Sequence, residues 1–91
     1  MSQEPFSLLG KAALVIGAAG AVGRAVAVAL AEAGADVAVA TTIRSRKEEV
    51  RAHSCANEVW ALNRRGFAQA IDAASESDVE ALVRRTLRVR D

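Results

Sequence analysis

Between Ala12 and Gly34 the chain passes from a short apolar run through a turn spaced by Gly17, Gly20 and Gly23 into a segment rich in Ala and Leu. Ala12 to Ile16 is too short for a helix and lacks polar alternation, the pattern of a parallel strand covered on both faces, so we place it at the centre of a sheet. Ala21 to Ala33 carries Arg24 and Glu32 as its charged positions and reads as a helix, with Gly34 at the left-handed position beyond its end. Three small residues in the turn remove side chains where the backbone must bend sharply, approach a ligand closely and pack helix on strand. The free N–H groups and positive dipole end of that helix then face the ligand, which suits phosphate.

The remaining sequence repeats the unit. Asp36 to Thr42 is a second apolar, β-branched run. Ser45 is an N-cap for a second helix with Glu48 and Glu49 near its positive end. Along it Ala52, Cys55, Ala56, Val59 and Leu62 share one face, and Gly66 closes the segment. Phe67 to Ile71 is a third strand, and Ser75 with Asp78 makes a capping box before a third helix through Leu82, Val83 and Leu87. In that helix Val83, Leu87 and Val89 are read as the apolar partners of a solvated face carrying Arg84, Arg85, Arg88 and Arg90. The order βαβαβα with short connections implies a parallel sheet with right-handed crossovers. Strand, glycine turn, helix and strand together are the opening of a dinucleotide-binding unit, although a tight turn without a ligand uses the same small residues.

Composition narrows the possibilities. The 91 residues form one small domain, 1–91, of which 52% are hydrophobic and 25% charged. Phe6, Phe67 and Trp60 are the only aromatic residues, so small side chains must build the core. A net charge of +1 gives no field to recruit nucleic acid or an anionic membrane, and no aromatic platform accompanies the arginines. No apolar run approaches a membrane span, and Met1 to Pro5 does not resemble a signal peptide. The lone Cys55 points to a reducing cytoplasm, and one Cys with one His gives no zinc spacing. His53 and Cys55, two apart, fall on different sides of a helix and lack a third group to orient them, which argues against a nucleophilic pair.

From Phe6 onward the chain resembles the N-terminal third of a short-chain dehydrogenase/reductase. The resemblance rests on Leu8-Leu9-Gly10-Lys11, on Gly17-Ala-Ala-Gly-Ala-Val-Gly23-Arg24-Ala25, on Ala33-Gly34-Ala35-Asp36-Val37, and on Ile71-Asp72 with Asp78-Val-Glu-Ala-Leu-Val83. It implies an α/β fold: a three-layer, Rossmann-type parallel sheet, truncated to a βαβαβα half. It further implies that Gly17, Ala19, Gly20, Ala21, Val22 and Gly23 cradle the pyrophosphate of a nicotinamide dinucleotide. Two positions depart from the family's pattern. Ile16 replaces the usual Thr, and Ala21 replaces the middle glycine of many members, adding a methyl group near the pyrophosphate path. At the end of the second strand, where an acidic residue would bind the ribose 2′-hydroxyl of NAD, stand Thr41 and Thr42 with Arg44 and Arg46 close behind. With no carboxylate to repel it and guanidinium groups able to fork onto it, a 2′-phosphate is favoured, hence NADP over NAD. The arginines could equally face solvent at a helix start. Asp72 matches the acidic residue that contacts the adenine amino group; the structural alternative is a loop residue capping local amides.

The family transfers hydride with a Tyr-x-x-x-Lys pair. This sequence contains no tyrosine, and its only lysines are Lys11 and Lys47. Catalysis by these residues alone is not supported. Three readings stay open: part of an NAD(P)-dependent oxidoreductase, a stand-alone nucleotide-binding module, or a non-catalytic protein that completes its sheet by self-association or with a partner chain along the exposed edge of the first strand.

Overall fold

A computed structural model describes residues 7–17, 20–42, 45–72 and 74–89. Its elements are β1 (Ala12–Ile16), α1 (Ala21–Glu32), β2 (Asp36–Thr41), α2 (Arg46–Ala61), β3 (Ala68–Ala70) and α3 (Glu76–Arg88). The strands form one parallel sheet in the order β1-β2-β3, with Ala12 opposite Asp36 and Val39 opposite Ala68. β2, not β1, is therefore the central strand of the described sheet. Val37 to Thr41 are fully buried, whereas β1 is half-covered and ends on exposed Ile16. The apolar run of β1 was read as covered on both faces, and it is: Val15 meets α1 on one face and Leu14 meets α3 on the other.

Side chains alternate across the sheet and divide the core in two. Val15, Val37 and Val39 meet Ala27 and Ala31 of α1 and Cys55, Ala56 and Val59 of α2 on one face. Ala40 and Ile71 meet Leu82 of α3 on the other, with Leu14, Phe67 and Val79 packed around them. Three layers result. The alanines of α1 allow that helix to sit close to β1 and β2, as a core poor in aromatic side chains requires.

Local chemistry accounts for the helix ends. Ser45 and Ser75 accept hydrogen bonds from the backbone N–H groups of Glu48 and Asp78, at 3.2 and 3.3 Å. The expected capping box on α3 is half present: the Asp78 carboxylate turns to the N–H of Asp72 rather than to that of Ser75. Gly34 follows the end of α1 with φ 111°, as the sequence requires. α2 ends differently from expectation. Asn63 takes the left-handed conformation, φ 63°, after the cap residue Leu62. Gly66 is reserved for another task, since a Cβ there would collide with the Val37 carbonyl oxygen. The backbone of residues 65–67 runs hard against β2, donating none of its own space to a side chain, and Val37 and Val39 give their N–H groups to Arg65 and Phe67 at 2.9 Å.

On α3 the buried residues are Leu82 and Thr86, the latter satisfying its hydroxyl on the Leu82 carbonyl at 2.8 Å. Val83 and Leu87, read as inward partners, are exposed instead. They lie on the flank of the helix rather than on its floor. Among the arginines, Arg85 is not simply solvated: its guanidinium lies 3.9 Å over the Phe67 ring and donates to Gln69 at 2.7 Å.

Candidate functional site

In a parallel sheet every strand ends on the same side, so the residues after β1, β2 and β3 gather at one edge. Here those are Gly17, Thr42 and Ile71, the last followed at once by Asp72. The Gly17 N–H still bonds to Ala40, at 2.8 Å, so the chain leaves the ladder only beyond that atom. It then turns with Gly17 at φ 91°, a conformation that L side chains avoid. The Gly20 N–H donates back to the Gly17 carbonyl at 3.2 Å, and Arg24 donates to Gly20 at 3.0 Å to begin α1. Gly17 and Gly20 are exposed, as are Ala21 and Val22, while Gly23 is half-buried in the first turn of the helix. Ala19 and Arg44 lie outside the described residues.

The N-terminus of α1 differs from the other two. Gly20 supplies no side-chain cap and the first turn carries no acidic residue. α2 and α3 each have a serine cap and acidic residues, Glu48 and Glu49 in one and Glu76 and Asp78 in the other. A helix start leaves its first N–H groups without intrahelical acceptors. In α2 and α3 the protein supplies the acceptors and negative charge itself; in α1 it leaves the donors and the positive dipole end to solvent or to an anion. Backbone donors and no opposing carboxylate fit a pyrophosphate.

Thr41 and Thr42, adjacent in sequence, point to opposite faces. Thr41 follows Val37 and Val39 toward α2, is 2% exposed, and lines a small cavity of about 60 Å³ with Glu49, His53 and Gln69. Thr42 is exposed and opens onto a larger cleft of about 530 Å³ shared with Ile71, Asp72, Ser75 and Asp78. Period-two alternation, continued two residues past Val39, is the signal that places Thr41 on the α2 side of the sheet. Asp72 has structural work to do in this cleft. Its carboxylate accepts the Ala74 N–H at 2.9 Å, its own N–H is held by Asp78 at 3.1 Å, and its carbonyl accepts from Ser75 at 3.0 Å. The capping role and exposure to the cleft coexist, since one carboxylate oxygen has lone pairs beyond the Ala74 bond. Asp78 was read only as a helix-start residue; its hold on the Asp72 backbone makes it part of the cleft wall.

α1 is tied to α2 by Arg24, which donates to Glu58 at 2.7 Å and to Ser54 at 3.2 Å, one helical turn from the bare N-terminus. The bond to Glu58 favours the charged guanidinium. Cys55 lies beneath, fully buried, and burial pushes its thiol up, against the partial pull of Arg24. His53 is exposed on another side of α2, so the two do not form a pair. Among the described residues no group of His, Cys, Asp and Glu could hold a metal ion, and no helix is long and apolar enough to cross a membrane.

Comparison with known proteins agrees with this geometry. The model of the short chain dehydrogenase family matches residues 11–89. A short chain dehydrogenase from Burkholderia cenocepacia J2315, solved in complex with NADP, is 36% identical with TM-score 0.79, over 91% of this chain and 32% of that one. A short-chain type dehydrogenase/reductase from Mycobacterium marinum is 31% identical with TM-score 0.75, over 89% of this chain and 31% of that one. A hydroxysteroid dehydrogenase from Escherichia coli is 29% identical with TM-score 0.75, over 90% and 33%. The chain thus spans about a third of the length of these structures.

Proposed function

The chain belongs to the short-chain dehydrogenase family, and from that premise we propose that it binds the adenosine and pyrophosphate half of NADP as part of an oxidoreductase. The observation that carries the proposal is the bare N-terminus of α1 behind the Gly17 turn, beside two helices whose N-termini are filled. Bound there, a nicotinamide dinucleotide supplies hydride chemistry; these residues supply its seat. The N–H groups of the first turn of α1 receive the pyrophosphate, with Gly17, Gly20 and Gly23 keeping the approach clear and Ala19, Ala21 and Val22 forming the rest of the loop. Thr42 and Arg44 receive the ribose, and Thr41 closes the floor from below. Asp72 receives the adenine amino group in the cleft that it shares with Thr42.

Preference for NADP over NAD follows from charge. Neither Thr41 nor Thr42 carries a carboxylate to accept the ribose 2′-hydroxyl or to repel a 2′-phosphate. The chemical step is not assigned to this chain, whose sequence contains no tyrosine to act as the proton donor. Calorimetric titration with NADPH, NADH and ADP tests the reading. Saturable binding of NADPH ahead of NADH supports it, binding of NADH ahead of NADPH overturns the specificity, and binding of none of the three overturns the function.

A further inference from the structure

We propose that Asp78 is a positioning residue for base recognition. By holding the backbone N–H of Asp72 it aims the Asp72 carboxylate into the cleft, which then takes a base carrying an exocyclic amino group and rejects one with a carbonyl oxygen in its place. The proposal rests on the reading of Asp72 as the partner of the adenine amino group, and Asp78 acts on the nucleotide through Asp72 rather than by touching it.

A helix start of the form Ser-x-x-acid has a use for both polar side chains. The serine accepts the N–H of the acid, and the carboxylate returns to the N–H of the serine. Here the first half is made, from the Asp78 N–H to Ser75 Oγ at 3.3 Å. The second is blocked, because the Ser75 N–H is already given to the Asp72 carbonyl at 3.0 Å. The Asp78 carboxylate instead accepts the Asp72 N–H at 3.1 Å, six residues back. Ser75 serves the helix, so this bond answers to the loop.

Asp72 stands where the chain leaves the sheet, for the Ile71 N–H still bonds to the Thr41 carbonyl at 2.9 Å. Two bonds then shape the loop from inside: the Ala74 N–H to Asp72 Oδ1 at 2.9 Å, and the Ser75 N–H to the Asp72 carbonyl. The bond to Asp78 ties the first residue of the loop to the body of α3, which Val79 and Leu82 anchor on Ile71 and Ala40. With Oδ1 engaged by Ala74, Oδ2 is the oxygen that meets the base. Of the described residues that line the cleft, Thr42, Ile71, Asp72, Ser75 and Asp78, two carry carboxylates and none carries a cation. Carboxylates accept hydrogen bonds and donate none, so an amino group is bound there and a carbonyl oxygen is repelled.

Calorimetric titration of the 91-residue chain with NADPH and with its hypoxanthine counterpart, in which a carbonyl oxygen replaces the amino group, tests the proposal. The ratio of the two dissociation constants is the readout, because a general loss of structure weakens both ligands together. Wild type should favour NADPH about tenfold. D78A should bring the ratio below about threefold, and D78N, which keeps an acceptor oxygen in place, should restore it. D78S, whose hydroxyl stops one bond short, should behave as D78A. The Ser75 cap accepts a backbone N–H and is untouched by all three. A wild-type ratio near one, or no binding of NADPH, overturns the reading of Asp72 and the proposal with it. A wild-type preference that D78A and D78S retain overturns the positioning role alone. So does an equal loss in D78A and D78N, which would assign the preference to the charge of Asp78.

Discussion

Replacing Gly66 by Ala should be among the most damaging single-methyl changes this fold can suffer. The added Cβ meets the Val37 carbonyl oxygen, a backbone atom that cannot rotate away. Relief requires β2 and the chain at 65–67 to separate, which stretches the bonds from Val37 to Arg65 and from Val39 to Phe67, both 2.9 Å. Each backbone bond contributes about 1 kcal/mol net, and overpacking adds about 1–3 kcal/mol, so the expected loss is about 3–5 kcal/mol. A domain of this size has a total stability of about 5–14 kcal/mol, so the loss is a large share of it. Trp60 donates its indole N–H to the Gly66 carbonyl at 3.0 Å, which gives the assay a local reporter. Urea unfolding followed by tryptophan fluorescence and far-UV circular dichroism measures the change. Gly20→Ala is the control, because a Cβ there comes no closer than 3.7 Å to the Gly17 carbonyl oxygen, and it should cost under about 1 kcal/mol. If Gly66→Ala lost no more than the control, the close approach of this loop to β2 would be refuted.

Ala21→Asp fills the bare N-terminus of α1 with a carboxylate; it should raise the stability of the free protein by about 0.3–1 kcal/mol and reduce NADPH affinity at least tenfold, opposite signs that thermal unfolding and calorimetry separate. Thr42→Asp adds a carboxylate on the exposed side of the cleft; it should weaken NADPH by about 1–3 kcal/mol, ten- to hundredfold, and leave NADH unweakened, as paired titrations would read. For Cys55, burial raises the folded thiol above its ordinary 9.0. The unfolded chain then releases this proton first, so the contribution is intact below pH 9 and is lost as pH climbs from there toward the folded value. Denaturation from pH 7 to pH 10 should show a fall that is shallower in Cys55→Ala; parallel curves would contradict it.

Local chemistry was legible in the sequence wherever a residue acts on its own neighbours. Ser45, Ser75 and Gly34 end or begin helices in the structure where the sequence places those ends. The continuous apolar run of β2 and the stripe Ala52, Cys55, Ala56, Val59 and Leu62 on α2 predict the core that is observed, with Leu62 half-buried at its margin. What escaped was set by distant partners. Gly66 looks like a helix terminator, but its lack of a side chain answers to β2, nearly thirty residues earlier. Asn63, the residue after the cap Leu62, takes the left-handed turn. Val83 and Leu87 fit an amphipathic stripe, yet the floor of α3 is set by Leu82 and Thr86 once Arg85 reaches across Phe67. At the site, the glycine spacing announced the turn, whereas the contrast between an unfilled α1 and filled α2 and α3 required the caps to be seen.

The most direct test of the account is the amide ¹H–¹⁵N spectrum of the protein titrated with NADPH. The account predicts the largest shifts at Gly20, Ala21, Val22 and Gly23, smaller ones at Thr42, Asp72 and the start of α3 that lines the same cleft, and none at the serine-capped start of α2 around Lys47. Shifts that leave the first turn of α1 untouched would contradict it, however tightly the nucleotide bound.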